Sequence, residues 1–313
     1  MFQQLFHIPI INITIFSYGF MLVVAFIVAI EMGKRLGQRR GIDPEQMVTC
    51  GLIALVSGLA GARLCFVLEN LWLFTRPEHG LWRNVFDAIN IRGGGLTYYG
   101  GFLLATPCCI AYGISKHVSI RVGIDVVAPC LMVALGLGRI GCFLNGCCYG
   151  ARSDNLPWAI TFPYYSIPYT EQLMSGQIRD VPPDLRNGVG APKSPDEIRA
   201  EGNAAALATM AVTRSLPVQP AQLYSAISAF LLCGLLLCFF DLPHVPGRVF
   251  ALMLALEGIN RFILELLRVE PPVWGRMTLS MILGLAICVA GIVLWWGLGV
   301  YGRAQAVVTP EVG

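Results

Sequence analysis

Charge is scarce in this chain. Asp, Glu, Lys and Arg make up 13% of its 313 residues, against about 25% in an average soluble domain. That shortage excludes an ordinary water-soluble globule, and a hydrophobic content of 56% points the same way. Residues 1–13 lack Lys and Arg, and no small-residue cleavage pattern follows. The start is therefore expected not to be a cleavable signal. Internal repeats and a second soluble domain are missing too. The net charge of +3 is dispersed over loops, which leaves no footprint for nucleic acid.

What is present is apolar and periodic. Runs of roughly 20 apolar residues recur, the length that crosses a hydrocarbon core as a helix. Seven such spans read at 14–33, 47–69, 97–115, 122–146, 220–240, 248–267 and 277–300. The expected class is an all-α polytopic membrane protein, one membrane domain over 1–313. Lys34, Arg35, Arg39 and Arg40 follow the first span, Lys116 and Arg121 the third. Arg248 and Arg303 fall on that same side, while Arg76, Arg83, Arg92 and Arg276 lie opposite, fewer per span end. Short cytoplasmic loops are enriched in Lys and Arg, so the N-terminus is expected outside and the C-terminus inside.

One segment breaks the pattern. Residues 150–216 are polar and rich in Pro and Gly, and they hold "NLPWAITFPYYSIPY". By the same topology they form an external head or lid inserted between the fourth and fifth spans. Its aromatic part suits short strands or an interfacial lid, since Trp and Tyr favour headgroup depth. The stretch 181–195 reads as an irregular or mobile loop, followed by one short Ala-rich helix near 195–212.

Eight of the eleven cysteines (Cys50, Cys65, Cys108, Cys109, Cys130, Cys233, Cys238 and Cys288) lie inside the apolar runs. There a free cysteine behaves as a small hydrophobe. The other three sit in "GRIGCFLNGCCYG", 138–150. On a continuous helix, Cys142 and Cys147 fall roughly 140° apart at about 100° per residue. A closed four-ligand metal site needs a further close His or Cys, and none falls at tight spacing. No metal and no cofactor are expected. A disulfide becomes feasible only if the helix unwinds at Gly146. The arginine is the expected functional residue, and the cysteines are expected to line its pocket.

An arginine inside a spanning helix costs about 2.5–3.5 kcal/mol on insertion scales, which makes it a functional candidate by default. Arg139 and Asn145 lie toward the end of the fourth span. In "ALEGINRFILELLRVE", Glu257, Arg261 and Glu265 are successive i, i+4 neighbours, and Arg268 shares their face. A guanidinium fork suits phosphate, so a phospholipid headgroup is the expected ligand. A self-neutralising packing ladder is the plainer alternative. Arg63 ends the second span. "IRGGGLTYYGG" brings Gly94 and Gly95, whose backbone can come close to a ligand. Gln222 and Tyr224 open the fifth span, and Tyr18 sits near the outer end of the first.

"GRIGCFLNGCCYG" resembles the signature G-R-x-G-N-F-x-N-x-E-x-x-G of the bacterial prolipoprotein diacylglyceryl transferases. "GGGLTYYGG" is similar to their G-G-M-S-F-H-G-G, "QPAQLYSA" to H-P-S-Q-L-Y-E-A, and "RFILELLRVE" to R-F-x-x-E-F-x-R-x-P. The likeness covers about residues 14–300. It implies transfer of the diacylglyceryl group of phosphatidylglycerol to a lipobox cysteine of prolipoproteins. A thioether forms and glycerol phosphate is released, at the outer side of a bacterial cytoplasmic (inner) membrane. The implied partners are phosphatidylglycerol, lipobox peptides and membrane lipids. The resemblance makes Arg139, Arg261, Glu265, Tyr18 and Tyr99 the catalytic candidates. Arg63, Arg139, Asn145, Gly150, Arg261, Arg268, Gly94, Gly95, Gln222 and Tyr224 are the candidates for holding phospholipid.

Three positions depart from that pattern. Cys142 stands where the family has Asn, Cys147 where it has Glu, and Tyr99 where it has His. Tyrosine is a poor base at neutral pH, its unperturbed pKa being about 10. The residue that takes the thiol proton is thus unassigned by the resemblance. Two other readings stay open. A non-catalytic binder of phospholipid or lipoprotein precursors is one. The other is a transporter, which predicts polar residues through the membrane depth and broken helices in paired halves.

Overall fold

The computed structural model describes residues 4–8, 13–75, 80–90, 94–188, 190–268, 273, 275 and 277–308. A short antiparallel pair comes first, β1 (Gln4–Ile8) with β2 (Ile13–Phe16). β2 reads ITIF, and β-branched residues favour an extended backbone. The helix expected from residue 14 therefore starts only at Ser17.

Helices dominate the rest. They are α1 (Ser17–Arg39), α2 (Pro44–Glu69), α3 (Leu71–Phe74), α4 (Leu81–Ile89), α5 (Tyr98–Ser115) and α6 (Ile120–Asn145). After these come α7 (Ile167–Met174), α8 (Pro195–Glu201), α9 (Ala204–Val212), α10 (Ala221–Phe240), α11 (Arg248–Glu265) and α12 (Leu279–Val308). Each of the seven apolar runs holds one helix of at least 18 residues. Four of them (α2, α6, α10 and the segment Leu279–Val300 of α12) are long and apolar enough to cross a bilayer. Many large apolar side chains on these helices face outward, Leu231 at 69% and Trp296 at 75% exposed among them. Outward apolar surface of this extent suits lipid rather than water. The chain is a helical, polytopic membrane protein.

Two compact units are evident, 30–130 and 1–29 with 131–313. In the first, α2 starts at Asp43, whose carboxylate accepts from Glu45 N at 2.9 Å, with Pro44 at the first helical position. Here α2 meets α5 along a glycine seam. A Cβ on Gly61 would lie 2.4 Å from the Gly100 carbonyl oxygen. In the second unit α11 meets α12 in the same way, and a Cβ on Gly258 would lie 2.5 Å from the Gly284 carbonyl oxygen. Small residues let backbones approach where no water drives helices together. The second of these seams fixes α11, the helix that carries most of the charged residues discussed below.

The second unit also contains the head between α6 and α10. Tyr164, Tyr169, Val181, Leu185, Ile198 and Ala206 form a core of its own, with Leu173, Ile178, Leu207 and Met210 packed against it. The expected single helix near 195–212 is two. Gly202 takes a left-handed conformation (φ +65°) that ends α8, and the Asn203 side chain caps α9 through Ala205 N and Ala206 N. The Pro- and Gly-rich stretch folds down onto this core: Tyr164 Oη donates toward Lys193 O (2.9 Å) and Leu185 O (3.3 Å). The aromatic part contributes isolated bridges, such as Ile160 with Val218, rather than strands. A narrow neck joins head to helices. Gly150 N donates to Gln219 O at 2.9 Å, Gln219 N to Ala151 O at 3.0 Å, and Ile160 and Val218 exchange both backbone bonds.

Candidate active site

Helix α11 sets the charged face. Glu257, Arg261 and Glu265 recur every four residues, and Arg268 follows on the turn after the helix. All four line one small cavity of about 20 Å³, together with Arg139 of α6, Ala221 and Ser225 of α10, Leu264 and Cys148. Three guanidinium groups thus face two carboxylates in a space that holds about one water. Glu257 accepts from Asn260 Nδ2 at 2.9 Å. Glu265, only 4% exposed, accepts from Thr278 Oγ1 at 3.1 Å and lies 3.7 Å from Arg268. Arg261 reaches Ser280 Oγ at 3.4 Å. Arg139 reaches the same cavity from α6. Its Nε is buried and has no hydrogen-bond partner among the described residues, which is costly unless a ligand or water supplies one.

A second cavity of about 460 Å³ shares two wall residues, Cys148 and Arg268, with the first. Its lining is mostly polar and comes from the neck and α7: Cys147, Arg152, Glu171, Gln172, Ser175 and Gln177 among others. Tyr149 hydrogen-bonds Glu171 at its edge; burial first, and then that carboxylate, raise its phenol above the usual value. Arg152, Glu171, Gln172, Ser175 and Gln177 were not singled out in the sequence, because no motif or span pattern marks them.

The structure overturns one angular expectation. Helix α6 stops at Asn145, and Gly146 turns at φ +77°, Cys148 at φ +58°. The 100° step no longer applies beyond the turn. The chain curls back so that Cys147 N donates to Cys142 O at 3.1 Å. The sulfur atoms of Cys142, Cys147 and Cys148 then all lie within 4.8 Å of one another.

The remaining candidates have defined neighbours. Gly141 lets α1 approach, since a Cβ there would lie 3.3 Å from Tyr18 Cδ2. Gly150 sits in the neck, where a Cβ would lie 2.9 Å from Leu267 O. Gln222, fully buried, donates from Nε2 to Cys147 O at 2.8 Å. The Tyr224 hydroxyl accepts from Trp158 Nε1 at 2.6 Å. Asn145 lines a third cavity of about 590 Å³ where the end of α6 meets the head, with Phe162, Tyr164, Arg199 and Arg214. In the other unit, Arg63 spends its donors on carbonyls: Ala88 (2.7 Å), Asp87 (2.7 Å), Gly94 and Gly95 (2.9 Å each). It braces the glycine turn, whose residues take φ of +82° and +78°. Tyr99, on the first turn of α5, is 53% exposed.

So the structure brings Arg139, Arg261, Glu265 and Arg268 to one cavity, with Gln222 one step behind Cys147. Arg63, Gly94, Gly95 and Tyr99 belong to the other unit.

Comparison with known proteins is consistent across the chain. Residues 3–297 match the family model described as prolipoprotein diacylglyceryl transferase. A relative from Clostridium tetani, named phosphatidylglycerol–prolipoprotein diacylglyceryl transferase, is 24% identical over 83% of this chain and 83% of its own. One from Corynebacterium diphtheriae with that name is 27% identical over 87% of this chain and 84% of its own. Another so named, from Rhodopirellula baltica, is 32% identical over 54% of this chain, but only 34% of its own length is matched.

Proposed function

We infer the reaction from the family to which this chain belongs, the prolipoprotein diacylglyceryl transferases. The protein moves the diacylglyceryl group of phosphatidylglycerol onto the lipobox cysteine thiol of a prolipoprotein. The thiol sulfur attacks the glyceryl carbon, the C–O bond to phosphorus breaks, and its electron pair leaves on the phosphate oxygen. Charge therefore grows on the departing phosphoryl group, and cations fixed there lower the barrier.

One observation carries the reading. Arg139, Arg261 and Arg268 converge on a single cavity, and the Nε of Arg139 is buried without a hydrogen-bond partner among the described residues. A phosphate does not fit about 20 Å³. It fits the adjoining cavity of about 460 Å³, whose wall shares Arg268. The headgroup enters that larger space and is met at the shared wall by Arg268, behind which Arg139 and Arg261 line the smaller cavity. Glu265 holds Arg268 in position, and the head covers the cavity for an incoming peptide. Seven spans with the N-terminus outside put this site at the outer leaflet of a bacterial inner membrane, where both substrates meet.

Among the described residues the charged groups gather at one cavity at the end of α6 and along α11, which favours a transferase over a transporter. A binder without catalysis is separated from a transferase by complementation. In a bacterium depleted of its own transferase, this chain restores the mobility shift of a model prolipoprotein. Failure to do so at normal membrane abundance removes the catalytic reading.

A further inference from the structure

Two of the three departures from the family motif are cysteines, Cys142 and Cys147, and the fold sets Cys148 beside them. Three thiols within 4.8 Å of one another are an unusual group. Around an ion with S–metal distances of about 2.3 Å, three sulfurs stand about 3.8 Å apart. Side-chain rotation of less than roughly 1 Å closes that gap. The scaffold is firm. Cys142 is buried on α6, the Gly146 turn returns the chain, and Gln222 anchors the carbonyl of Cys147. Access is one-sided, because Cys147 and Cys148 both face the cavity of about 460 Å³. Charge favours thiolates here: Arg139 and Arg268 line the same small cavity as Cys148. A divalent ion with three thiolates carries one net negative charge, which those arginines offset.

We propose that Cys142, Cys147 and Cys148 form a three-thiolate site for one soft ion of the Zn²⁺ class, with its fourth position open to the cavity for the substrate thiol. The site extends the transferase reading and rests on it only for the fourth ligand. Three protein ligands and an open position are the pattern of catalytic rather than structural zinc. A thiol that coordinates such an ion gives up its proton, so the site answers what Tyr99, a poor base, leaves unassigned. The balance is complete. The thiol releases one proton to water in the cavity, its sulfur attacks the glyceryl carbon, and the phosphodiester monoanion leaves as the glycerol phosphate dianion. The ion is neither oxidised nor reduced.

Metal uptake is read without activity. The full chain, purified in detergent, reduced and stripped of metal, is titrated with Cd²⁺ while the ultraviolet sulfur-to-metal charge-transfer band is followed. One equivalent is expected to bind in the parent. The band is expected to vanish in a Cys142→Ser/Cys147→Ser/Cys148→Ser chain whose far-ultraviolet circular dichroism is unchanged. No saturable band in the parent, or the same band in the triple variant, overturns the site. Co²⁺ is the second probe. A soluble lipobox thiol peptide is expected to shift the visible Co²⁺ spectrum, and the Ser-for-Cys peptide to leave it unmoved. No shift overturns the open fourth position. Transfer by a metal-free chain overturns the role of the ion and leaves the transferase reading intact; Cd²⁺ binding by a chain that transfers nothing does the reverse.

Discussion

Gln222 holds the Cys147 carbonyl at 2.8 Å from a fully buried position on the first turn of α10. The bond ties the end of α6 to α10 at the point where the chain turns into the head. Gln222→Leu leaves that part-buried carbonyl without its partner. A loss of about 1–3 kcal/mol is expected, read as a lower thermal midpoint of the detergent-purified chain. Gln222→Glu keeps the length but offers no N–H, and should be no better than Leu.

Lysine is a poor substitute at Arg139 and Arg261. A point charge lacks the planar fork that grips two phosphoryl oxygens at once. Either Arg→Lys variant is expected to lose about 10²-fold in transfer rate, measured with labelled phosphatidylglycerol and a lipobox peptide at equal membrane abundance. Parent-like rates in both would remove Arg139 and Arg261 from stabilisation of the departing phosphate.

The α2–α5 seam admits no side chain at Gly61. A Cβ there meets the Gly100 carbonyl oxygen at 2.4 Å and Leu104 Cβ at 2.6 Å. Gly61→Ala is expected to cost about 1–3 kcal/mol as the helices part. Gly113→Ala, on the same α5 and with nothing within 4 Å, serves as the control and should hold within about 0.5 kcal/mol. Equal stability of the two variants would contradict the close contact.

The head has its own alkaline limit. Burial, and then the neighbouring Tyr169, push the Tyr164 phenol up to about 12. An acid whose folded pKa exceeds its unfolded value of about 10 holds its proton longer when folded. Head stability is therefore level below pH ~10 and falls as pH rises from there toward 12. Limited proteolysis of the full chain across that range should show cuts within 175–193 accelerating. Tyr164→Phe, which loses two hydrogen bonds, should be cut faster at pH 8 and respond less to alkali.

Sidedness is open to direct labelling. Gly188 is exposed in the head, with nothing within 4 Å of a Cβ there, and Gln38 is exposed near the end of α1. In spheroplasts a membrane-impermeant thiol reagent is expected to label Gly188→Cys and to spare Gln38→Cys, each compared with the parent chain. The opposite pattern would invert the topology and take the outer-leaflet site with it.

The helices were legible because apolar length is a strong signal: each expected span holds its helix. The same rule of 3.6 residues per turn put Glu257, Arg261, Glu265 and Arg268 on one face, and they do line one cavity. Helical periodicity fails wherever a helix stops. Nothing in the order of Cys142, Cys147 and Cys148 says that α6 ends at Asn145, so their meeting was hidden. Gln222 was picked out as a candidate ligand, but its bond to a backbone carbonyl 75 residues away was hidden for a related reason. Arg63 likewise reads as a headgroup ligand by charge alone, while the fold engages its donors with four carbonyls.

The neck of the head has a consequence for how such a protein can change. The chain leaves the membrane helices at Gly150 and returns at Gln219, and these two residues are hydrogen-bonded to each other. Its two ends being adjacent, the insertion is a loop in the topological sense, whatever its length. It can grow, shrink or be exchanged between relatives without altering the distance that α6 and α10 must span. Loop-closure cost rises only slowly with length, so the length and surface of the head can change while the helices beneath keep one register.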